Sequence, residues 1–445
     1  MKKKIYILSL GCPRNLVDSE VLAGLLKSTG YELSEDPLSS DYLIVNTCGF
    51  IKSAKEESIE AILKAASIKT SGPSNKKLIV TGCLSQRYGK QLKKMMPEID
   101  AVFGTSDFIK IPEYIGSNAE NKFYKCVTKP SFLYNEKNKR QFLTPEHYAY
   151  IKLEEGCCNN CSYCIIPKLR GKYRSRSAES VLQEAKLMVE KNDVKEINLI
   201  GQDITLFGID KYGKRKLGLL LRKLSPIMKN RWIRLLYTHP AHYDDDLIDV
   251  IAKEEAICKY LDIPVQHISD KILKKMNRRI TKEKTLRLIE KLRKKIPGIV
   301  LRTTIMVGFP GETEKDFKEL LKFVKDTRFE RLGVFVYSRE EGTPSYNFKG
   351  RLSQKIKEGR YDEVLIAQQE ISREINKEFL GKRFKVLIDE KDNVRHNQFL
   401  GRTYMDAPEV DGTCYISSNR ELKPGEFREV EIVDTLEYDL VGKAL

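Results

Sequence analysis

The chain opens with short apolar runs separated by longer amphipathic ones. "KIYILSLGC", "DYLIVNTC" and "KLIVTGC" are rich in β-branched and aliphatic residues and predict strands. Between them, "DSEVLAGLLKSTG" and "AKEESIEAILKAAS" carry helical spacing. Each strand run ends within a residue or two of a cysteine: Cys12, Cys48 and Cys83, separated by 36 and 35 residues. That interval is the length of one strand–helix–strand unit. Successive units of this kind build a parallel sheet whose strands all end on one edge. A single buried cysteine is ordinary, but three in phase at strand ends predict a three-thiolate metal site with no evident fourth ligand.

A polar, charged stretch, "YNEKNKRQ" at 134–141, reads as a boundary. Six further strand candidates then alternate with helical segments: "YAYIKLE", "EINLIG", "WIRLLYT", "YLDIPV", "IVLRTTIM" and "LGVFVY". Six βα units in about 200 residues predict a parallel, barrel-like sheet that stops short of eight strands. The active rim of such a sheet lies at the C-terminal ends of its strands. There the sequence places a cysteine cluster after the first strand, Gly201-Gln202-Asp203 after the second and Thr238-His239-Pro240 after the third. Gln266-His267, "GFPGE" (Gly308 to Glu312) and "SREEGTP" follow the remaining three.

The cluster is "EEGCCNNCSYCIIP", residues 154–167, with four of the ten cysteines inside eight positions. It can be counted as Cys157-x3-Cys161-x2-Cys164 or as an even C-x2-C-x2-C beginning at Cys158. A structural zinc site needs four ligands. An iron–sulfur cubane held by three thiolates keeps one iron open for a substrate, which suits a position on an active rim.

Charge and composition sharpen this picture. Clustered cysteines in a reducing cytoplasm bind metal or do chemistry more often than they form disulfides. The cytoplasm is expected because no apolar run approaches the ~20 residues of a membrane span. The apolar stretch of "MKKKIYILSLGCPRN" is also too short for a signal peptide. The formal net charge is +17, yet residues 377–445 hold 11 Lys and Arg against 14 Asp and Glu. A basic body points to an anionic neighbour such as RNA or a ribosome. The C-terminal segments "KRFKVLIDE", "QFLGRTYMDAPEV", "GTCYISS" and "REVEIVDTLEYDLVGKAL" predict a small antiparallel β-barrel. Its slight acidity suits a basic protein partner better than a phosphate backbone. Cys126, Cys258 and Cys414 lack a partner pattern, and His147 and His396 read as structural or surface groups. His239 and His267 have hydrogen-bonding or proton-transfer potential. The basic run Lys168, Arg170, Lys172, Arg174 and Arg176 reads as a cofactor or substrate contact, or as a solvated loop.

Cys157-x3-Cys161-x2-Cys164, with Tyr163 before the last cysteine, resembles the signature of the radical S-adenosylmethionine superfamily. The second cysteine set, together with "CIIPKLRGKYRSR", "GQD" and "GFPGE", narrows the likeness to the methylthiotransferases, along essentially the whole chain. "LSLGCPRNLVDSE", "YLDIPVQHISDKILKKMNRR" and "GRTYMDAPEVDG" resemble the branch that modifies a ribosomal protein rather than tRNA adenosine. The resemblance implies two 4Fe-4S clusters, on Cys12, Cys48 and Cys83 and on Cys157, Cys161 and Cys164, leaving Cys158 as a bystander. It further implies S-adenosyl-L-methionine near Tyr163, Gln202, Asp203, Gly308 and Glu312, and methylthiolation of the β-carbon of an aspartate in small-subunit ribosomal protein twelve, free or on the ribosome. One cofactor molecule would give its methyl group and a second the radical, with electrons from a low-potential donor such as flavodoxin or ferredoxin. No membrane or DNA is implied. The expected division is an N-terminal domain at 1–119, a linker at 120–142, a radical core at 143–374 and a TRAM domain at 376–445. Modification of tRNA adenosine, and an iron–sulfur electron carrier without catalysis, are the other readings.

Overall fold

The computed structural model describes residues 2–71, 76–117, 123–395 and 397–445; His396 lies outside them. The three N-terminal strand expectations are realised as Lys4–Ser9, Tyr42–Thr47 and Lys77–Gly82. Three short strands, Glu32–Leu33, Ala101–Phe103 and Tyr124–Cys126, extend them to a parallel sheet of six. Tyr42–Thr47 is buried at every position, as expected of a parallel strand covered on both faces. Thr47 pairs with Gly82 and Ser9 with Asn46, so the residues that follow, Cys48, Cys83 and Cys12, emerge along one edge. Helices Pro13–Ser28 and Lys52–Ser71 occupy the two amphipathic stretches.

The central sheet contains all six strands read from the sequence, as Tyr148–Lys152, Glu196–Ile200, Trp232–Leu235, Ile257–Asp262, Val300–Val307 and Arg331–Val336. They pair in chain order, all parallel, and the sheet stays open between its first and last strands. Its outer face packs on the helices through a large aliphatic core that includes Val181, Leu199, Leu221, Ile251 and Leu320. Polar residues in the strands themselves, such as Lys152, Glu196, Asn198 and Arg234, are buried. The C-terminal segment is a closed barrel of five strands. It departs from an antiparallel barrel at one seam. The last strand, Leu440–Ala444, inserts beside Cys414–Ser417 and runs parallel to it.

This barrel covers the N-terminal ends of the core strands. Glu196 accepts hydrogen bonds from Arg234 Nε (2.7 Å) and from Arg402 Nη1 (2.6 Å) of the barrel. Arg331 pairs with Asp406 at 2.6 Å, and Trp232 meets Phe427 edge-on at 4.9 Å. His147 is structural here, bonded to Asp389 at 2.8 Å. The N-terminal sheet covers the opposite end, with Lys55 and Arg87 both reaching Glu340, at 2.8 and 2.7 Å. Stretch 134–141 is no loose tether. Tyr134 is buried and its hydroxyl accepts from Lys152 N, while Arg140 pairs with both Glu20 and Glu184. Among the described residues, no helix is long and apolar enough to cross a membrane.

Glu196 is fully buried between two guanidiniums. Replacing it with alanine strands the Arg234 charge and leaves Arg402 with Asp389 alone, which costs about 3–5 kcal/mol. Denaturant titration of Glu196→Ala should show that loss, and limited proteolysis should release the C-terminal barrel earlier than in the parent.

Candidate functional site

A cavity of about 580 Å³ lies between the N-terminal sheet edge and the rim of the central sheet. All six cysteines of the two sets line it, and Cys158 does not. Cys158 is instead solvent-exposed, while Cys126, Cys258 and Cys414 are buried elsewhere. The turns that deliver the thiols depend on glycine. Gly11, Gly82 and Gly156 immediately precede Cys12, Cys83 and Cys157, and all three have left-handed φ, at 87°, 97° and 79°. At Gly11 a side chain would also collide with Cys48, whose Cβ lies 2.8 Å from where a new Cβ would sit.

The electrostatics within each set show thiols facing one another. Burial, then repulsion from Cys83 and Cys12, pushes Cys48 up to about 12. Burial, then Cys161, pushes Cys164 up to about 12, and burial with a contribution from Cys164 raises Cys157. Cys12 is the exception. Burial disfavours its thiolate, but the guanidiniums of Arg14 and Arg170 outweigh that and hold it below its ordinary value. Converging soft sulfur donors that resist ionisation are relieved when metal replaces their protons.

Other expected residues divide into those that line the cavity and those that brace it. Tyr163 and Gln202 line it, and both polar atoms of the Gln202 amide are buried without a partner among the described residues. Asp203 is behind the wall. It accepts hydrogen bonds from Asn159 Nδ2 (2.7 Å), inside the cysteine loop, and from His242 Nδ1 (2.8 Å). The Gly308–Glu312 turn does not line the cavity. Glu312 is buried, accepts from the N–H of Gly308 and Phe309, and pairs with Arg360, so its carboxylate is consumed in holding the turn. Thr313 and Asp316 form a capping box at the next helix. His267 is buried and accepts from Ser269 N, whereas His239 lines the cavity with burial holding it neutral.

The basic run divides: Lys168 and Lys172 are exposed, whereas two of its arginines are buried and paired. Arg170 pairs with Asp18 and Glu155, and Arg176 with Glu184, all buried. His242 escaped sequence reasoning. It stacks on His239 with centroids 4.7 Å apart, and the signal was the spacing in "THPAH". Arg14 and Arg278 were also missed as cavity residues.

Family models for the radical SAM superfamily, for an uncharacterised protein family (UPF0004) and for the TRAM domain match residues 151–324, 4–104 and 380–445. The chain is 48% identical over 442 residues to ribosomal protein uS12 methylthiotransferase RimO of Clostridioides difficile, covering 99% of each chain. It is 49% identical to the protein of the same name from Caldanaerobacter subterraneus, covering 99% of this chain and 100% of that one. The chain belongs to the uS12 methylthiotransferase family. Among solved structures, the radical S-adenosylmethionine methyltransferase TsrM from Kitasatospora setae shares the fold, with TM-score 0.57 and 15% identity over 88% of this chain and 79% of that one. In this chain the two cysteine sets open into a single chamber.

Glu154, beside that chamber, gives a pH signature. Its Oε1 accepts from Gln202 N and Asp203 N, its Oε2 has no partner among the described residues, and burial pushes its carboxyl from 4.5 up to about 8. Below 4.5 both folded and unfolded chains hold this proton; between 4.5 and about 8 only the folded chain does. Stability should therefore fall as pH rises through that window. Glu154→Gln keeps the accepting oxygen and should flatten the fall, measured as denaturant midpoints at acid, neutral and mildly alkaline pH.

Proposed function

We propose that this protein transfers a methylthio group to the β-carbon of an aspartate in ribosomal protein uS12, using S-adenosylmethionine. The full-length match to methylthiotransferases of that name supports the reaction. The observation that carries the reading is that Cys157, Cys161 and Cys164 share one cavity with Cys12, Cys48 and Cys83. In this reading residues 1–119 and 143–374 each bring one cysteine set, 120–142 joins them, and 376–445 closes the far end.

The residues fit the cofactors the family uses. Each set offers three soft sulfur ligands, as an iron–sulfur cubane requires. Some neighbouring polar atoms lack a protein partner among the described residues, although Arg278 Nη2 donates to Pro264 O. Gln202 presents an orphaned amide, and Arg278, whose Nε is unsatisfied, brings Nη1 to 4.0 Å from Cys161 Sγ. When bound, a reduced cluster supplies the electron that cleaves S-adenosylmethionine and so provides a radical able to take hydrogen from unactivated carbon.

This chain's own residues do the rest. Arg278 would hold the carboxylate of S-adenosylmethionine, and Gln202 its polar groups beside Cys157. Asp203 fixes the cysteine loop through Asn159. Neutral His239, at the wall, accepts from Ala241 N at Nδ1 and so offers its Nε2–H as a donor without adding charge. The second cysteine set would serve the incoming sulfur. Electrons would come from a low-potential carrier of the flavodoxin or ferredoxin type, in the cytoplasm where ribosomal proteins are made.

Anaerobically reconstituted protein should hold about eight irons per chain, falling to about four when either cysteine set is replaced by alanine. Replacing Cys157, Cys161 and Cys164 should abolish cofactor cleavage. Replacing Cys12, Cys48 and Cys83 should leave cleavage in part and end methylthiolation, read by mass spectrometry of uS12. Cys158→Ala should keep both clusters and most activity. Unmodified uS12 after incubation with the fully loaded parent would sink the reading.

A further inference from the structure

Four guanidiniums line the cavity: Arg14, Arg170, Arg278 and Arg302. Two are already matched by carboxylates. Arg170 pairs with Asp18 at 2.6 Å and Glu155 at 3.4 Å, and Arg302 with Asp262 at 2.9 Å and Asp411 at 3.1 Å. Arg14 and Arg278 have no carboxylate partner among the described residues. Arg14 has the Cys12 sulfur beside it, but a thiolate committed to a metal neutralises it poorly, and a buried guanidinium without a carboxylate is costly unless a ligand supplies one. The proposed reaction brings two carboxylates into this chamber, one on S-adenosylmethionine and one on the substrate aspartate. Arg278 lies against Cys161, on the cofactor side.

Resting on the reading above, we propose that Arg14 recognises the carboxylate of the substrate aspartate and thereby sets the protein's specificity for it. Arg14 stands in the first turn of the helix that begins after Cys12, and its Nη1 donates to the carbonyl of Gly201 at the end of the second core strand. It therefore spans the interval between the two cysteine sets, where the reacting carbon has to lie. Its plane is fixed by stacking on Tyr237, 4.5 Å from the ring centroid. Tyr237 adopts φ 61°, a costly conformation for a bulky residue, and its N–H is tied to Asp262 Oδ2 at 3.0 Å. That strain is spent on aiming the ring that carries Arg14. A guanidinium has five N–H donors in a planar fork. With Gly201 and the Cys12 sulfur taking one each, enough remain for a two-pronged hold on a carboxylate. The β-carbon is bonded directly to that carboxylate, so clamping the carboxylate plane also orients the β C–H bonds.

The test compares binding of purified uS12, and of uS12 with its modified aspartate changed to asparagine, to the cluster-loaded enzyme under anaerobic conditions. The parent enzyme should prefer the aspartate form by roughly tenfold or more. Arg14→Gln should bind both forms alike, at the affinity the parent shows for the asparagine form, which also reports that the variant is folded. Arg14→Lys should restore part of the preference. Should glutamine prevent cluster loading, Arg14→Met provides a second neutral replacement read the same way. A preference that survives in the neutral variant would overturn the proposal and leave Arg14 serving Cys12 alone, as would a parent enzyme indifferent to the change. A parent enzyme that binds and modifies neither form would instead overturn the methylthiotransferase reading, and the assignment of Arg14 with it.

Discussion

A buried lattice of ion pairs fastens the helix Pro13–Ser28 to the central sheet, and the chamber's shape depends on it. Asp18 sits between Lys152 at 2.5 Å and Arg170 at 2.6 Å, with Glu155 closing the group through Lys152 at 2.7 Å. Two residues along the same helix, Glu20 shares Arg140 with Glu184, and that arginine arrives from the segment joining the two sheets. Apolar surfaces can slide against each other with little penalty. Buried charges cannot, because each displaced partner leaves an uncompensated ion in low dielectric. The lattice thus specifies one register between the sheets more than it adds net stability. Arg170 also donates to Asn15, which in turn bonds the carbonyls of Leu10 and Thr47. Through Asn15, a single side chain from the short helix Ile166–Arg170 therefore reaches the backbone just ahead of Cys12 and of Cys48.

Much of this was legible in the sequence because the strongest signals were local. The long strands announced themselves by continuous apolar runs, and Cys12, Cys48 and Cys83 by their phase with those runs. The two-residue strand Glu32–Leu33 and the three-residue strands Ala101–Phe103 and Tyr124–Cys126 are too short to show a period. They exist because a neighbouring strand offers them a ladder. Pairing in the C-terminal barrel was misread at one seam for a related reason, since crossover depends on which edge is free and not on composition.

The site was less legible wherever function depends on what a charge has for company. Arg170 and Arg176 look like free cations in a basic run until Asp18 and Glu184, from distant segments, are brought against them. Glu312 looked available to a cofactor but is held by Arg360, which follows 48 residues later. The reverse holds for Arg14, unremarkable in "GCPRN" and conspicuous only once the fold leaves it without a carboxylate. Sequence gives the inventory of charges, and the tertiary structure decides which of them cancel.

The chamber's wall is compiled from stretches far apart along the chain: residues between Gly11 and Cys83 from the first sheet and its helices, residues between Tyr150 and Phe335 from the central sheet and its loops, and Pro408 with Val410 from the C-terminal barrel. Inheritance is constrained accordingly. A gene exchange that replaced any one of these parts with its counterpart from a distant relative would import a wall fitted to another interior. The three parts are thus expected to descend together, and the chain to diversify by drift along its whole length, in contrast to enzymes whose binding modules shuffle as separate units.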